Sequence, residues 1–249
     1  MGAALAASFA DRDESLTIVD HNEDRRALLQ GRYPHIAVSA TQIECDVAVV
    51  AVKPKDVATA VDSAAAHGAT LIISVAAGVT LASLHEQARN AVVVRAMPNI
   101  GAVHGESATA LCANARVSEA DLERAEAIFK SAGSVVRVRE DQMDAVTGLS
   151  GSGPAYVFLM AEAMIDAGVS AGLSRTIAEA LTVQTIVGAG RLLAEGEQSA
   201  AELRADVTTP AGTTAAGLRA LEAHGLRTAF TEAVEKATQR SRELGAPAK

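Results

Sequence analysis

The chain has no tryptophan, and Phe, Tyr and Trp together supply only 2% of its 249 residues. A core built on large rings is therefore excluded; the 49% that is hydrophobic is mostly Ala, Val, Leu and Ile, the material of closely packed helices and aliphatic strands. Cysteine is scarce as well. Cys45 and Cys112 lie far apart in apolar runs that read as strands, with no C-x-x-C spacing, so they are expected to be buried thiols in a reducing cytosol. The six histidines, at 21, 35, 67, 85, 104 and 224, show no i, i+4 pairing and no carboxylate cluster beside them, and no metal site is expected. Basic charge is short, with 22 Lys and Arg against 30 Asp and Glu and a net charge of −8, and it is not clustered; a nucleic-acid partner is not expected. Long apolar runs are missing too. The longest, residues 155 to 171, is broken by Glu162 and Asp166, so no membrane contact is expected. These absences predict a soluble, cytoplasmic protein of one or two domains, long enough to bury a substantial core without metal or disulfide.

What is present alternates. Through about residue 140, short β-branched runs are separated by Ala-rich helical segments, the pattern of βαβ units around a parallel sheet. The runs cover 16–20, 46–52, 70–75, 91–95, 108–112 and 134–138, and they are continuously apolar, as strands covered on both faces should be. Helix starts carry their own signals: Pro54 follows Lys53, and Ser118 stands three residues before Asp121 as a capping box. After Asp141 the strand pattern stops. The remainder reads as long helices punctuated at Gly148 to Pro154, Gly172, Gly196 to Ser199, Pro210 to Gly212 and Gly225. Their Ala- and Gly-rich faces bury little area each, so the helical part is expected to pack against a second copy, a compact monomeric domain being the alternative.

Two glycine-rich turns mark that helical part. Val207-Thr-Thr-Pro-Ala-Gly-Thr-Thr-Ala-Ala-Gly217 releases into a helix near Thr213, with four threonine hydroxyls around its start. Proline presets the turn, Gly212 permits close backbone approach, and the first amides of the helix point outwards, the chemistry of a small anion pocket that suits a carboxylate. An ordinary N-cap is the plainer reading of the same residues. Upstream, Gly148-Leu-Ser-Gly-Ser-Gly-Pro-Ala-Tyr156 heads another long helix, and two such turns in one region point to a site.

Both turns, in this order and spacing, resemble those of the pyrroline-5-carboxylate reductase family. The resemblance runs nearly end to end and includes Val50-Ala-Val-Lys-Pro54, Ser74-Val-Ala-Ala-Gly-Val79, Arg95-Ala-Met-Pro-Asn99 and the closing Arg240-Ser-Arg-Glu-Leu-Gly245. It implies a doubly wound, Rossmann-like, mostly parallel sheet lacking its first strand over residues 1–140. An all-α dimerisation and substrate-binding domain follows over 141–249. Met1-Gly-Ala-Ala-Leu5 resembles the end of the family's dinucleotide fingerprint. The expected reading is that the frame extends upstream, the alternative being a chain that starts here with impaired cofactor binding.

The resemblance further implies reduction of 1-pyrroline-5-carboxylate to L-proline by NADPH, with NADH as the alternative. No Ser-His-Asp set or acidic dyad is needed, because the nicotinamide carries the chemistry and the protein orients and polarises. By resemblance, Thr209, Gly212, Thr213 and Thr214 hold the substrate carboxylate, and the Thr214 hydroxyl donates to the imine nitrogen. Alone, Thr214 reads equally as a first-turn threonine satisfying its own helix. Val52, Lys53 and Pro54 would face the nicotinamide ribose and phosphates, Ala76, Ala77 and Gly78 the nicotinamide, and Asn99 the same end; a solvated charge at Lys53 and a plain turn at Ala77-Gly78 are the alternatives. At the end of the 16–20 run, Asp20 suits a ribose 2′-hydroxyl, whereas Asn22 with Arg25 or Arg26 suits a 2′-phosphate, and the residues leave that choice open. Two departures stand out: Ile100-Gly101 replace the family's usual Thr-Pro, and Ala211 replaces the first Gly of Pro-Gly-Gly. The partners implied are the small-molecule substrate and a second copy, with stacking of dimers left open. The rivals are another Rossmann-plus-helical imine or hydroxyacid reductase, an F420-linked one included, and a catalytically silent oligomerising paralogue.

Overall fold

A computed structural model describes residues 1–10 and 15–245. Seven strands, β1 (Thr17–Val19), β2 (Ala37–Ser39), β3 (Val47–Val50), β4 (Leu71–Ser74), β5 (Val92–Met97), β6 (Ser107–Ala113) and β7 (Gly133–Arg137), lie in two sheets. β1 pairs with β2, and the larger sheet runs β3-β4-β5-β6-β7, parallel throughout except where β5 meets β6. Among the described residues no strand bridges β1 and β3, so the strands form a pair and a quintet. β2 was not expected from sequence. Its three residues are half-buried or exposed and make no apolar run.

Side-chain alternation along the strands sends residues to two faces, and helices cover each. Leu71 and Ile73 of β4 pack with α1 (Gly2–Ala10) and α5 (Glu119–Lys130), where Phe9 meets Phe129 edge-on at 5.9 Å between ring centroids. Ile72 of β4 and Val93 of β5 face the other way, onto α3 (Val57–Ala66), α4 (Leu81–Gln87) and Met143 of α6 (Met143–Val146). Apart from Phe9 and Phe129, these two faces are packed by small and aliphatic side chains. A third cluster joins α1 to α2 (Glu23–Arg32) through Ala6, Ala10 and Leu29, with Ile18 and Val38 of the small sheet against it. Expected starts appear where the residues placed them: Pro54 opens a short 3-10 turn after Lys53, and the Ser118 hydroxyl caps α5 at the Asp121 amide. Cys112 lies buried in β6 as expected, but Cys45 is only half-buried, in the irregular segment just before β3.

Five further helices complete the chain: α7 (Gly153–Ser170), α8 (Arg175–Glu195), α9 (Ala200–Asp206), α10 (Thr213–Ala223) and α11 (Leu226–Gly245). Compactness divides the chain differently from the change of pattern near residue 140. One unit holds Met1–Pro154 together with the stretch from Val234 onwards, the other Ala155–Ala233. α11 therefore starts in the helical unit and ends in the sheet unit.

Within the helical unit, α7 and α8 approach closely: a Cβ on Gly168 would stand 3.1 Å from that of Ala178. Only Ala178 and Thr182 are buried among this unit's described residues, while Phe158, Leu159 and Leu181 are more than half exposed. α8 is long and apolar enough to cross a membrane by length and composition, and 11% of its most apolar stretch is buried. That is a face without its cover.

Candidate active site

β3, β4 and β5 are adjacent and parallel, with Val50 in register with Ser74 and Ser74 with Arg95, so the loops that follow them leave the same edge of the sheet. Open parallel sheets bind ligands at that carboxyl edge. Val52, Lys53 and Pro54 follow β3, Ala76, Ala77 and Gly78 follow β4, and Asn99 follows β5. The start of α1 joins them: a Cβ on Gly2 would stand 3.4 Å from that of Ala51. The first intrahelical bond runs from the Ala4 amide to the Met1 carbonyl, at 2.9 Å, so the Gly2 and Ala3 amides precede it and, among the described residues, have no acceptor.

The side chains differ in how free they are. Lys53 and Pro54 are exposed, and among the described residues no hydrogen bond or ion pair engages the Lys53 ammonium group. Ala76 is buried, Ala77 and Gly78 are half-buried, and Gly78 adopts φ +76°, which only glycine takes without strain. Asn99 is committed elsewhere. Its Oδ1 accepts from the Gly101 amide at 2.9 Å and its Nδ2 donates to the Ser150 carbonyl at 3.1 Å. A Cβ on Gly101 would meet the Glu106 carbonyl oxygen at 2.5 Å, so this backbone leaves no room for a side chain there.

Behind the edge lies an ion pair that sequence reasoning missed. Arg95 is 5% exposed in the middle of β5, and one oxygen of Glu140 accepts from its Nη1 at 2.9 Å and from the Leu81 amide at 2.6 Å. The available signal was an arginine inside an apolar strand, which must find a counter-charge. Cys112 stands beside Arg95 on β6. Burial pushes its thiol up to about 11 against the pull of Arg95, so it is protonated at neutral pH and no nucleophile.

Asn22 follows β1, in the two-stranded sheet, where its Oδ1 caps α2 by accepting from the Arg25 amide at 2.9 Å. Asp20 is already engaged: its carboxylate accepts from the Asn22 amide at 2.8 Å and pairs with Arg25 at 3.3 Å, while Arg26 donates to its carbonyl.

The threonine-rich turn belongs to the helical unit. The Gly212 amide donates to the Thr209 carbonyl at 3.0 Å, Ala211 sits at φ +58°, and α10 begins at Thr213 with Gly212 as N-cap and no capping side chain. A Cβ on Gly212 would collide with the Thr209 hydroxyl. The first bond back is from Ala216 to the Gly212 carbonyl, so among the described residues the amides of Thr213, Thr214 and Ala215 are open. Among the described residues the Thr214 hydroxyl makes no hydrogen bond, whereas Thr185, Thr208 and Thr231 each donate to the carbonyl four residues back. Thr209, Thr213 and Thr214 are all exposed. In the second glycine-rich turn, one glycine makes a close packing contact. Thr147–Gly151 is one π-helical turn, and a Cβ on Gly148 would stand 2.5 Å from the Thr238 hydroxyl. Among the described residues, no three His, Cys, Asp or Glu side chains gather as metal ligands would.

Residues 140–244 match the family model described as pyrroline-5-carboxylate reductase dimerisation, and residues 1–78 that of NADP oxidoreductase, coenzyme F420-dependent. The pyrroline-5-carboxylate reductase of Synechocystis is 43% identical over 98% of this chain and 92% of its own length. The chain belongs to the pyrroline-5-carboxylate reductase family. Solved members share its architecture. A pyrroline-5-carboxylate reductase from Coxiella burnetii superposes with a TM-score of 0.89 at 33% identity, over 98% of this chain and 95% of that one. The Plasmodium falciparum enzyme, solved with NADP bound, superposes with a TM-score of 0.83 at 30% identity, over 99% and 95%. The Rossmann-like sheet part and the all-helical part are those of this reductase family, and the helical part carries the family's dimerisation region.

Proposed function

We propose that this chain reduces 1-pyrroline-5-carboxylate to L-proline with NADPH, the reaction for which its relatives are named. The observation that carries the reading is the open first turn of α10, where three amides and the Thr214 hydroxyl have no hydrogen-bond partner among the described residues. An imino acid needs both. Amides at a helix start hold its carboxylate, and a hydroxyl in the same turn donates to the ring nitrogen, drawing electron density from the C=N carbon as the proton is taken up. Thr209 and Gly212 shape the turn; Thr213 and Thr214 contribute the amides. We divide the work accordingly, with residues 1–140 for the nucleotide and 141–249 for substrate and dimerisation.

A dinucleotide fits the carboxyl edge: small residues at Ala51, Ala76, Ala77 and Gly78 leave room there, and the first amides of α1 and Lys53, unpaired among the described residues, offer positive partners for phosphates. When bound, the reduced nicotinamide supplies the hydride. Val52, Lys53 and Pro54 hold its ribose and phosphates, Ala76 to Gly78 its ring side, and Asn99 acts by fixing the neighbouring turn. Asn22 and the arginines beside it are placed for a 2′-phosphate, Asp20 being neutralised by Arg25. NADPH is thus the preferred reductant.

A second copy covers α7 and α8, which explains why these helices are apolar yet exposed; stacking of dimers is a matter for sizing in solution. With a charge of −8 and its longest apolar helix assigned to that contact, the protein works in the cytoplasm without nucleic acid or membrane. The assay is loss of NADPH on addition of 1-pyrroline-5-carboxylate, with NADH in parallel and proline-dependent reduction of NADP+ as the reverse check. A folded dimer inactive in both directions would refute the reading; a strong NADH preference would show Asp20 in control of the choice.

A further inference from the structure

The Val75–Thr80 loop is held from outside itself at two points. On its C-terminal side, the Leu81 amide that opens α4 donates to Glu140 at 2.6 Å, and the same oxygen is anchored by buried Arg95. At its middle, Gly78 touches the last residue of α11: a Cβ on Gly78 would stand 3.0 Å from the Gly245 nitrogen, and one on Gly245 would stand 2.5 Å from the Gly78 carbonyl oxygen. The end of α11 is itself pinned, since Ser241 donates to Asp144 at 2.6 Å and Gly148 lies against Val234 and Thr238. A cleft of about 180 Å³ lined by Gly78, Thr80, Arg95, Asp144, Arg242 and Gly245 separates these two props. All of these residues belong to the sheet unit.

We infer that Glu140 and Gly245 are positioning residues for the reductant, fixing the Ala76–Gly78 loop in the shape that receives the nicotinamide. This rests on the proposed role of that loop. Neither residue stands at the edge itself. Each acts through backbone: Glu140 through the Leu81 amide, Gly245 by the absence of a side chain where Gly78 passes. A charge is not essential to the first task, because a neutral amide oxygen accepts from Leu81 and from Arg95 equally in geometry. Removing the acceptor is different, as it frees the start of α4 and strands the buried guanidinium.

The test uses three variants of the full-length chain. Glu140→Gln keeps the acceptor. Arg95→Met with Glu140→Leu removes acceptor and buried charge together, so the fold is not burdened by an unpaired cation. Gly245→Ala pushes directly on the Gly78 carbonyl. The readouts are NADPH binding by the nucleotide's own fluorescence, convenient in a chain without tryptophan, separate KM values for NADPH and imino acid, and the thermal midpoint. The double variant and Gly245→Ala are expected to weaken NADPH binding and raise its KM by about tenfold, within the range that small misplacements produce, while the imino-acid KM stays within about twofold. Glu140→Gln is expected to recover most of the loss. Folded variants that bind NADPH as the parent does, whatever their thermal midpoints, would overturn the inference, as would Glu140→Gln failing as badly as the double variant. A parent protein that binds no NADPH would instead sink the reading of the loop.

Discussion

Ala211 offers the sharpest check on the threonine-rich turn. It sits at φ +58°, in the left-handed region, at the position where the family resemblance places glycine. For an L-residue that conformation costs about 1–2 kcal/mol through crowding of Cβ against the following carbonyl, and glycine escapes the cost. Against this, glycine loosens the unfolded chain by about 0.4–1 kcal/mol. The difference leaves Ala211→Gly stabilising by about 0.5–1 kcal/mol. The same substitution at Ala220, in the right-handed interior of α10, should destabilise by about 0.5–1 kcal/mol, because there only the entropy and propensity terms act. Two Ala→Gly changes nine positions apart are therefore expected to move stability in opposite directions. Urea unfolding at one fixed protein concentration measures both, the fixed concentration being needed because assembly adds to apparent stability. If Ala211→Gly destabilises as Ala220→Gly does, the turn does not hold its left-handed residue and the account of the open amides after it fails.

Other outcomes are equally specific. Thr214→Ala is expected to lower kcat by about 10²–10³, the worth of one donor at a developing charge, with stability changed by less than about 0.5 kcal/mol because the hydroxyl has no partner to abandon among the described residues. Thr214→Ser should retain most of the rate, and near-parental turnover in the alanine variant removes Thr214 from the mechanism. Leu181→Glu, on the exposed face of α8, is expected to shift the sizing profile to monomer, whereas Leu28→Glu on α2, equally apolar and 67% exposed, should leave it unchanged; an unaltered profile for both would mean that the second copy sits elsewhere. Cys112 gives a pH dependence. Its thiol is raised from 9.0 to about 11 by burial, so the stabilisation from keeping it protonated is complete below about pH 9 and is lost as pH rises towards 11. Chemical denaturation across that interval should show a decline that Cys112→Ala flattens, and identical slopes for parent and variant would argue against it.

The parts of the fold that could be read directly were those governed by local rules. β4 is four consecutive buried residues, and its run is apolar without interruption; α8 ends where Gly196 takes a left-handed C-cap, and α9 starts on the Ser199 capping box. β2 escaped because three residues with one edge partner and a solvated face carry no periodic signal. The return of α11 to the sheet unit escaped for a different reason. Nothing in the spacing of its side chains distinguishes the half that starts in the helical unit from the half whose Thr238 and Ser241 meet Gly148 and Asp144, because those contacts are 90 or more positions apart in the chain.

The candidate site divides along the same line. Val52 to Pro54, Ala76 to Gly78 and the Thr209–Thr214 turn are backbone features at strand ends and a helix start, and proline, glycine and threonine announce such features wherever they occur. Asn99 shows the limit of that announcement. Its position at the carboxyl edge follows from the end of β5, but its side chain is spent on Gly101 and Ser150, so placement at a site and contact with a ligand are separate matters. Arg95 shows what lies beyond. A charge in a buried strand requires an opposite charge. The partner is Glu140, 45 positions away and otherwise unmarked, and it reaches the Leu81 amide 59 positions back. Sequence states that such a debt of charge exists; only the fold decides which carboxylate meets it, and in meeting it Glu140 also accepts from the amide that opens α4.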